Sequence, residues 1–343
     1  MWDKRCCRAV WSLALALGAG LCVWRLSGCP GPPVSAGCFL VAPNFAPLLP
    51  GNVSTAVPPY PLHVLPGDDP STLIDLKEFA FLTQSAPVAP CNSTPLVVAV
   101  VHSAPANYIN RQMIRSTWGT SIKLVFMVGE TNLTDVNAQL DQEVKEYGDV
   151  VQGSFFDTYR NLTYKHVMAL KWATYHCPSA RYLLKTDDDV FVNAPKLEKF
   201  LRNELSPFGA RRLILCDVLK NSIVRRSFRS KWRVSPSEYP GRYYPSYCTG
   251  WAVVYSPDVV FKLYSEAQRL PYFWVDDVHV TGTCASQANI THTHIGPLLR
   301  METQCQEMVD KGKLDEDFLF GLTSSPTHIK KLWEILEMSS NQT

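Results

Sequence analysis

Residues 187 to 189 are three consecutive aspartates, Asp187, Asp188 and Asp189, set between the apolar runs 182–184 and 190–192. Adjacent carboxylates repel one another and cost desolvation unless a cation compensates them. On a strand, alternate side chains point the same way, so Asp187 and Asp189 can converge on one ion while Asp188 points elsewhere. Hard oxygen ligands suit Mg²⁺ or Mn²⁺, ions that commonly also hold substrate phosphates. The competing reading is a solvated acidic turn. The flanking apolar runs weigh against it, because they set the carboxylates at a strand end, where open α/β sheets bind ligands. A second acidic pair, Asp276 and Asp277, follows the aromatic run Phe273-Trp274-Val275 and opens a predicted helix over 278–287. Capping explains one acid at a helix N-terminus, and two less well. A carboxylate beside an apolar wall can have a raised pKa and act as a general base. His292 and His294 alternate along the chain and are candidates for one more metal ligand, on a weak signal.

Cationic and aromatic side chains complete the inventory. Arg111 and Arg115 stand at i, i+4 on a predicted helix over 106–118, so both guanidiniums share a face. Lys165 lies on a predicted helix over 159–176. Neither G-x-G-x-x-G nor G-x-x-x-x-G-K-[ST] occurs in this half of the chain, so a nucleotide there must be held by cationic side chains and a metal. Trp251, next to Gly250, offers a flat apolar face on which a sugar ring can stack; an ordinary core tryptophan is the equal alternative. The stretch from Lys220 to Arg242 is basic, with Arg225, Arg226, Arg229, Lys231 and Arg233 interleaved with Phe228 and Trp232. It reads as a solvated, partly disordered loop in preference to a substrate lid. Net charge is only +2, which gives no support to a nucleic-acid partner.

These residues need a scaffold. Residues 96–101 form a continuous apolar run, the mark of a strand buried on both faces of a parallel sheet. Strands over 123–129 and 149–152, and a helix over 135–147, alternate with the helices above. That order implies right-handed βαβ units and a mainly parallel sheet in an α/β domain. A helix from Pro195 to Asn203 follows, then strands over 212–215 and 251–255.

The whole chain sets the compartment. At 343 residues, 46% hydrophobic and 19% charged, it is globular in composition. Lys4, Arg5 and Arg8 precede an apolar segment that is short for a membrane span. A cleaved signal peptide ending near Gly28-Cys29 is one reading. Trp11 and Trp24 at the two ends, and the lack of an A-x-A site, favour an uncleaved anchor over 9–26. Residues 1–8 are then cytoplasmic and the rest luminal, and a short span suits the thinner early secretory membranes. Residues 27–94, rich in Pro, Gly and Ser, read as a stem with at most a short helix over 75–82, in preference to an irregular lobe of the folded domain, and 95–343 as the folded body. Eight of the 11 cysteines follow the anchor and are disulfide candidates of unassigned pairing; none shows C-x-x-C spacing. Asn52, Asn92, Asn132, Asn161, Asn289 and Asn341 lie in glycosylation sequons.

Five segments together resemble one family. They are Arg111-Gln-Met-Ile-Arg-Ser-Thr-Trp118, Asp157-Thr-Tyr-Arg-Asn-Leu-Thr-Tyr-Lys165, Lys185-Thr-Asp-Asp-Asp-Val-Phe-Val-Asn193, Tyr244-Pro-Ser-Tyr-Cys-Thr-Gly250 and Val275-Asp-Asp-Val-His-Val-Thr-Gly282. In this order they are similar to the motifs of the metazoan Golgi β1,3-galactosyltransferase and β1,3-N-acetylglucosaminyltransferase family. The likeness covers about Leu96 to Cys284; the tail beyond matches no pattern of the family, and Asp276 stands where many members have Glu. It implies a GT-A-type, single Rossmann-like domain on a single-pass type II Golgi membrane anchor. It further implies inverting transfer of galactose from UDP-galactose, or of N-acetylglucosamine from UDP-GlcNAc, to a glycan acceptor on protein or lipid. Asp187 and Asp189 would hold Mn²⁺ (or Mg²⁺) on the diphosphate; Arg111, Arg115, Lys165, Asp187, Asp188 and Trp251 would lie on the donor side; Asp277 would be the base. A non-catalytic luminal lectin or chaperone of the same fold is the rival, and two complete acidic sites argue against it.

Overall fold

A computed structural model of the chain describes residues 45–48, 60–83, 91 and 94–340, all within a unit spanning Ala36–Thr343. The expected tail and anchor over 1–26 lie outside the described residues, as do Cys29, Cys38, Asn52, Asn92 and Asn341. Among the described residues no helix is long and apolar enough to cross a membrane.

The centre is a seven-stranded sheet. Its strands in chain order are β1 (Val97–His102), β2 (Lys123–Glu130), β3 (Val150–Phe156), β4 (Tyr182–Asp187), β6 (Ile214–Cys216), β7 (Ala252–Tyr255) and β8 (Thr293–His294); β5 (Val190–Val192) lies outside it. In space the order is β8-β6-β7-β4-β1-β2-β3. The pairings β3-β2, β2-β1, β1-β4 and β6-β8 are parallel, and β7 runs antiparallel to β4 and β6. The expected mainly parallel sheet is therefore present, crossed by one antiparallel strand.

Every residue of β1 is buried, as its unbroken apolar run requires. Val97, Ala99 and Val101 face one layer with Ile114 and Trp118, whereas Val98 and Val100 face the other with Val167 and Met168. The helices that cover the sheet are α1 (Tyr108–Arg115), α2 (Thr134–Tyr147), α3 (Leu162–His176) and α4 (Pro257–Ala267). The predicted helix over 278–287 begins at Asp277 as α5 (Asp277–Cys284), a wide π-type turn, a form often found at functional sites. Within the sheet β3-β2-β1-β4 is one half of a doubly wound arrangement. Strand order reverses between β1 and β4, where His102 and Asp187 stand side by side at the C-terminal edge.

The C-terminal tail, which the motifs left unexplained, has a structural role. Phe320–Leu322 pairs with β5 and with Leu299–Arg300. Thr323 then donates from its N and from its Oγ1 to the Asp189 carbonyl, at 2.9 and 2.7 Å. The turn that carries the aspartates is thus pinned from behind.

Residues 60–83 follow the alternative reading of 27–94 and pack as an irregular lobe of the folded body. Leu65, Leu73, Ile74 and Phe79 are buried in the core layer that holds α3 and α4. Asp69, 1% exposed, accepts from Tyr175 Oη, Tyr264 Oη and Gln268 Nε2. Lys171 Nζ donates to the carbonyls of Asp69 and Thr72. Residues 75–82 form no helix, where a short one was expected: Phe81 bridges Gly153 and Leu82 N donates to Gln152 O at 2.8 Å, covering the free edge of β3. Proline-rich punctuation and two-residue strands carry no periodicity, so nothing in the residue pattern sets this segment apart from a linker.

Candidate active site

A cleft of about 860 Å³ opens at the strand-order reversal. The ends of β1 and β4, Lys165 of α3 and the start of α5 all line it. Asp187, Asp188 and Asp189 line it, as do Lys165, Trp251, Asp276 and Asp277, so both acidic groups found in the sequence meet in one cavity.

The three aspartates have three environments. Asp187 keeps a side-chain exposure of 38% and accepts from Lys185 Nζ at 2.7 Å. Asp188 turns away, as strand alternation requires. Its carboxylate accepts from Ser103 Oγ at 2.6 Å, Asn107 Nδ2 at 2.9 Å and Asn110 Nδ2 at 3.3 Å. Asp188 is therefore a wall residue fixed by hydroxyl and amide donors. Asp189 stays open to solvent, yet partial desolvation and the charges of Asp187 and Asp188 push its carboxyl up to about 7. A cation between Asp187 and Asp189 would relieve that repulsion. Among the described residues no three His, Cys, Asp or Glu side chains form a metal cage of protein ligands alone. Two carboxylates suffice for Mg²⁺ or Mn²⁺ when substrate phosphates and water supply the remaining ligands. The donor set therefore fits such an ion in company with a diphosphate.

Arg111 and Arg115 are not brought to the cleft, which corrects their expected contact with a donor. Arg111 is fully buried and binds Glu143 through Nε and Nη2 at 2.8 and 2.7 Å. Its Nη1 donates to Ser103 Oγ, 3.0 Å away, and to the Ala104 carbonyl. Arg115 binds Glu143 and Asp149 and lies over the Tyr147 ring. The i, i+4 spacing correctly set both on one face, but that face meets α2 rather than the cavity. Their effect reaches the site through the chain Arg111–Ser103–Asp188. The anion partners Glu143 and Asp149 sit beyond α1 in sequence, with no local signal to pair them.

Lys165 does line the cleft, 3% exposed, with Nζ on the Ser103 carbonyl and on Asp157. Burial lowers its pKa, and Asp157 opposes that. Lys185, to which the sequence reading assigned no role, is equally central. Its ammonium joins Asp187 Oδ1 to the Gly250 carbonyl. Burial disfavours the charge, but Asp187, Asp276 and Asp277 outweigh it and keep the amine protonated. Lys185 and Asp187 are two apart on β4, so alternation alone could have flagged the pair.

Asp276 and Asp277 diverge in state. Both lose solvation, but His166 Nδ1 at 3.2 Å and the charge of Lys185 hold Asp276 below the ordinary carboxylate value. The far side of His166 meets Tyr255 Oη at 3.1 Å. Desolvation, then the charge of Asp276, push Asp277 well above that value. Asp277 Oδ2 accepts from Gly250 N at 3.1 Å. A Cβ on residue 250 would stand 1.7 Å from Asp277 Oδ1, so only glycine admits the carboxylate here. Trp251 lines the cleft and also packs on the core, while its carbonyl accepts from Thr186 Oγ1 at 2.9 Å.

His292 and His294 line neighbouring cavities, not this one. His292 Nε2 meets the Thr281 carbonyl at 2.6 Å, and His294 Nδ1 accepts from Val218 N at 3.1 Å. Neither joins Asp187 and Asp189 as a ligand in this arrangement.

The basic stretch after Lys220 is an ordered lobe, against the expectation of a partly disordered loop. Disulfide Cys216–Cys248 closes its base and Ile223 bridges Tyr243. Arg226 clasps the carbonyls of Val234, Tyr239 and Gly241 at 2.9, 2.7 and 2.8 Å. Val224, Val234 and Tyr244 pack with Phe273, Trp274 and Val278 in a small core of their own. The lobe contributes Ser222, Ile223, Arg225 and Trp232 to the cleft wall. A second disulfide joins Cys91 to Cys177, and Cys284 and Cys305 are buried free thiols.

A model of the galactosyltransferase family matches residues 109–296, which include every cleft residue just described except His102, Ser103 and Ala104. β-1,3-Galactosyltransferase 5 of Gorilla gorilla gorilla is 36% identical over 214 residues, 60% of this chain and 70% of that protein. The acetylgalactosaminyl-O-glycosyl-glycoprotein β-1,3-N-acetylglucosaminyltransferase of Mus musculus is 36% identical over 220 residues, 59% of this chain and 54% of its own. UDP-GalNAc:β-1,3-N-acetylgalactosaminyltransferase 1 of Sus scrofa is 34% identical over 203 residues, 56% of this chain and 60% of its own. A solved glycosyltransferase involved in the glycosylation of the major capsid of PBCV-1 covers 71% of this chain at 13% identity with a TM-score of 0.35, a likeness too slight to bear on the fold.

Proposed function

The chain belongs to the galactosyltransferase family, and on that premise we propose that it is a UDP-sugar-dependent β1,3-hexosyltransferase of GT-A type, moving galactose from UDP-galactose to a hydroxyl of a glycan acceptor. The observation that carries the reading is the pairing, across one cleft, of the Asp187–Lys185 end with the Gly250–Asp277 end. Asp187 and Asp189 would hold Mn²⁺ or Mg²⁺, which neutralises charge on the departing diphosphate. Lys165 and Lys185 add fixed positive charge on the same side. Asp277 takes the proton of the acceptor hydroxyl as it attacks. Desolvation and the charge of Asp276 raise its pKa, which makes its carboxylate a stronger base than an exposed aspartate. Asp276, held ionised by His166, keeps Asp277 basic; two carboxyls pushed apart in this way are the usual sign of divided roles. A base across the cleft from the diphosphate supports single displacement with inversion.

The relatives' names divide among galactose, N-acetylglucosamine and N-acetylgalactosamine, so UDP-GlcNAc is the alternative donor. Purified protein is to be incubated with UDP-galactose, UDP-GlcNAc and UDP-GalNAc, β-linked acceptors, and Mn²⁺ or chelator. Galactose transfer that chelator abolishes is expected; no transfer or hydrolysis of any donor would overturn the reading. We further propose a single-pass type II Golgi membrane protein anchored by residues 9–26, on the support of Lys4, Arg5 and Arg8 ahead of the apolar segment. Protease protection of the body in sealed microsomes checks this, and digestion of the body would refute it.

A further inference from the structure

The wall of the cleft beside Asp277 is far more positive than the rest of the molecule. Between Leu219 and Tyr243 the chain carries seven Lys and Arg against one acid, Glu238. That acid is paired outward, to Arg160 at 2.9 Å. The whole chain is only +2, so everything outside this lobe is net acidic. Charge so concentrated raises the local concentration of anions.

Among these cations Arg225 is distinct. Arg226 is committed to three backbone carbonyls, Arg233 lies over Phe228 at 3.8 Å and Lys231 over Trp232 at 4.4 Å. Arg225 is exposed, lines the cleft, and has no carboxylate partner among the described residues. Its position is held, since its own carbonyl accepts from Val234 N at 2.8 Å inside the disulfide-closed lobe. Tyr247, on the same wall, lies within electrostatic reach of both Arg225 and Asp277. An unpaired guanidinium therefore opens on the cavity that Asp277 also lines, with the half-exposed Trp232 in the same lining. Guanidinium forks recognise sulfate, phosphate and carboxylate by charge-assisted hydrogen bonds.

We propose that Arg225 is an acceptor-selecting residue, and that the preferred acceptor is a glycan bearing an anionic substituent: a sulfate, a phosphate or a uronic-type carboxylate. This deepens the transferase reading and rests on it. Arg225 follows Val224, which packs against Phe273, Trp274 and Val278 around the Asp276–Asp277 pair, and the UDP arm of the test below separates an acceptor role from a diphosphate role.

The test uses the full-length chain and a β-linked disaccharide, either neutral or carrying sulfate, phosphate or carboxylate on the primary carbon of its terminal sugar. Calorimetric Kd in the presence of UDP and Mn²⁺ is read beside acceptor KM. At least one anionic form is expected to bind about tenfold tighter than the neutral parent, the scale of one charge-assisted hydrogen bond. The three arms identify which anion is read. Arg225→Gln should bring the affinities together, Arg225→Lys should retain part of the preference, and added salt should shrink it. Equal affinities in the wild-type chain would overturn the proposal. So would an Arg225→Gln protein that loses UDP affinity while keeping the anion preference, which would assign Arg225 to the diphosphate. Binding to vesicles rich in anionic lipid, with no discrimination among the saccharides, would also overturn it and assign the lobe to a membrane surface. Selective anion binding without transfer from any donor would instead uphold this site and refute the proposed reaction.

Discussion

At the scale of single residues, the site depends on a few close approaches. Asp277→Asn removes the proton acceptor and leaves the diphosphate side intact. It should lower kcat by about two to four orders of magnitude while UDP affinity is unchanged; lost UDP binding would reassign the residue to the donor. Gly250→Ala sets a methyl 1.7 Å from Asp277 Oδ1, so the carboxylate must move. Overpacking of this kind costs about 1–3 kcal/mol, and kcat should fall with little change in donor KM. Asp189 yields a pH-dependent outcome. Its folded-state pKa rises from 3.8 to about 7, so its contribution to stability is present below the unfolded value and lost as pH rises through about 7. A bound divalent cation reverses that loss, because it binds the ionised form. Mn²⁺ should therefore raise Tm more at about pH 8 than at about pH 5.5; an equal increment at both would remove Asp189 from the ligand set.

At the scale of elements, α1 and α2 act together through a buried charge cluster. Arg111, Glu143 and Arg115 lock the two helices, and Nη1 of Arg111 donates to Ser103 behind Asp188. Removing one member leaves an uncompensated buried charge. Arg111→Ala should cost about 3–5 kcal/mol in denaturant unfolding. Activity should fall with it even though Arg111 does not line the cleft. A conservative change at Arg115, whose side chain is 11% exposed, should cost less. Unchanged stability in Arg111→Ala would refute the account of this cluster. The motif around Arg111 was legible in the sequence, but its chemistry was misassigned there. A pair of arginines on one helix face states that they share a partner, and only packing states whether the partner is a ligand or a neighbouring helix.

At the scale of the whole molecule, the folded body begins earlier than the first strand. Residues 60–83 bury Leu65, Leu73, Ile74 and Phe79 and satisfy Lys171, Tyr175, Tyr264 and Gln268. Each such apolar side chain is worth about 1.5–3 kcal/mol when buried. Together they rival the entire net stability of a domain, about 5–15 kcal/mol. A chain truncated to residue 84 should therefore express as aggregated protein, whereas truncation to residue 60 should leave it soluble and active. Equal solubility of the two would show that the segment is dispensable.

The residues alone determined the parallel half of the sheet, since unbroken apolar runs alternating with amphipathic helices admit few other arrangements. They also determined both acidic groups, because adjacent carboxylates flanked by apolar residues need a compensating partner whatever the fold. Tertiary structure decided what depends on contacts distant in the chain. It turned Arg111 and Arg115 toward Glu143, brought Lys185 between Asp187 and Gly250, and gave Asp276 and Asp277 opposite protonation tendencies through His166. It also folded a basic stretch into a wall of the cleft and a proline-rich stretch into the core. Charge and composition are local properties and can be read in order; partnership in a buried site is a property of distance in space, which a linear sequence does not record.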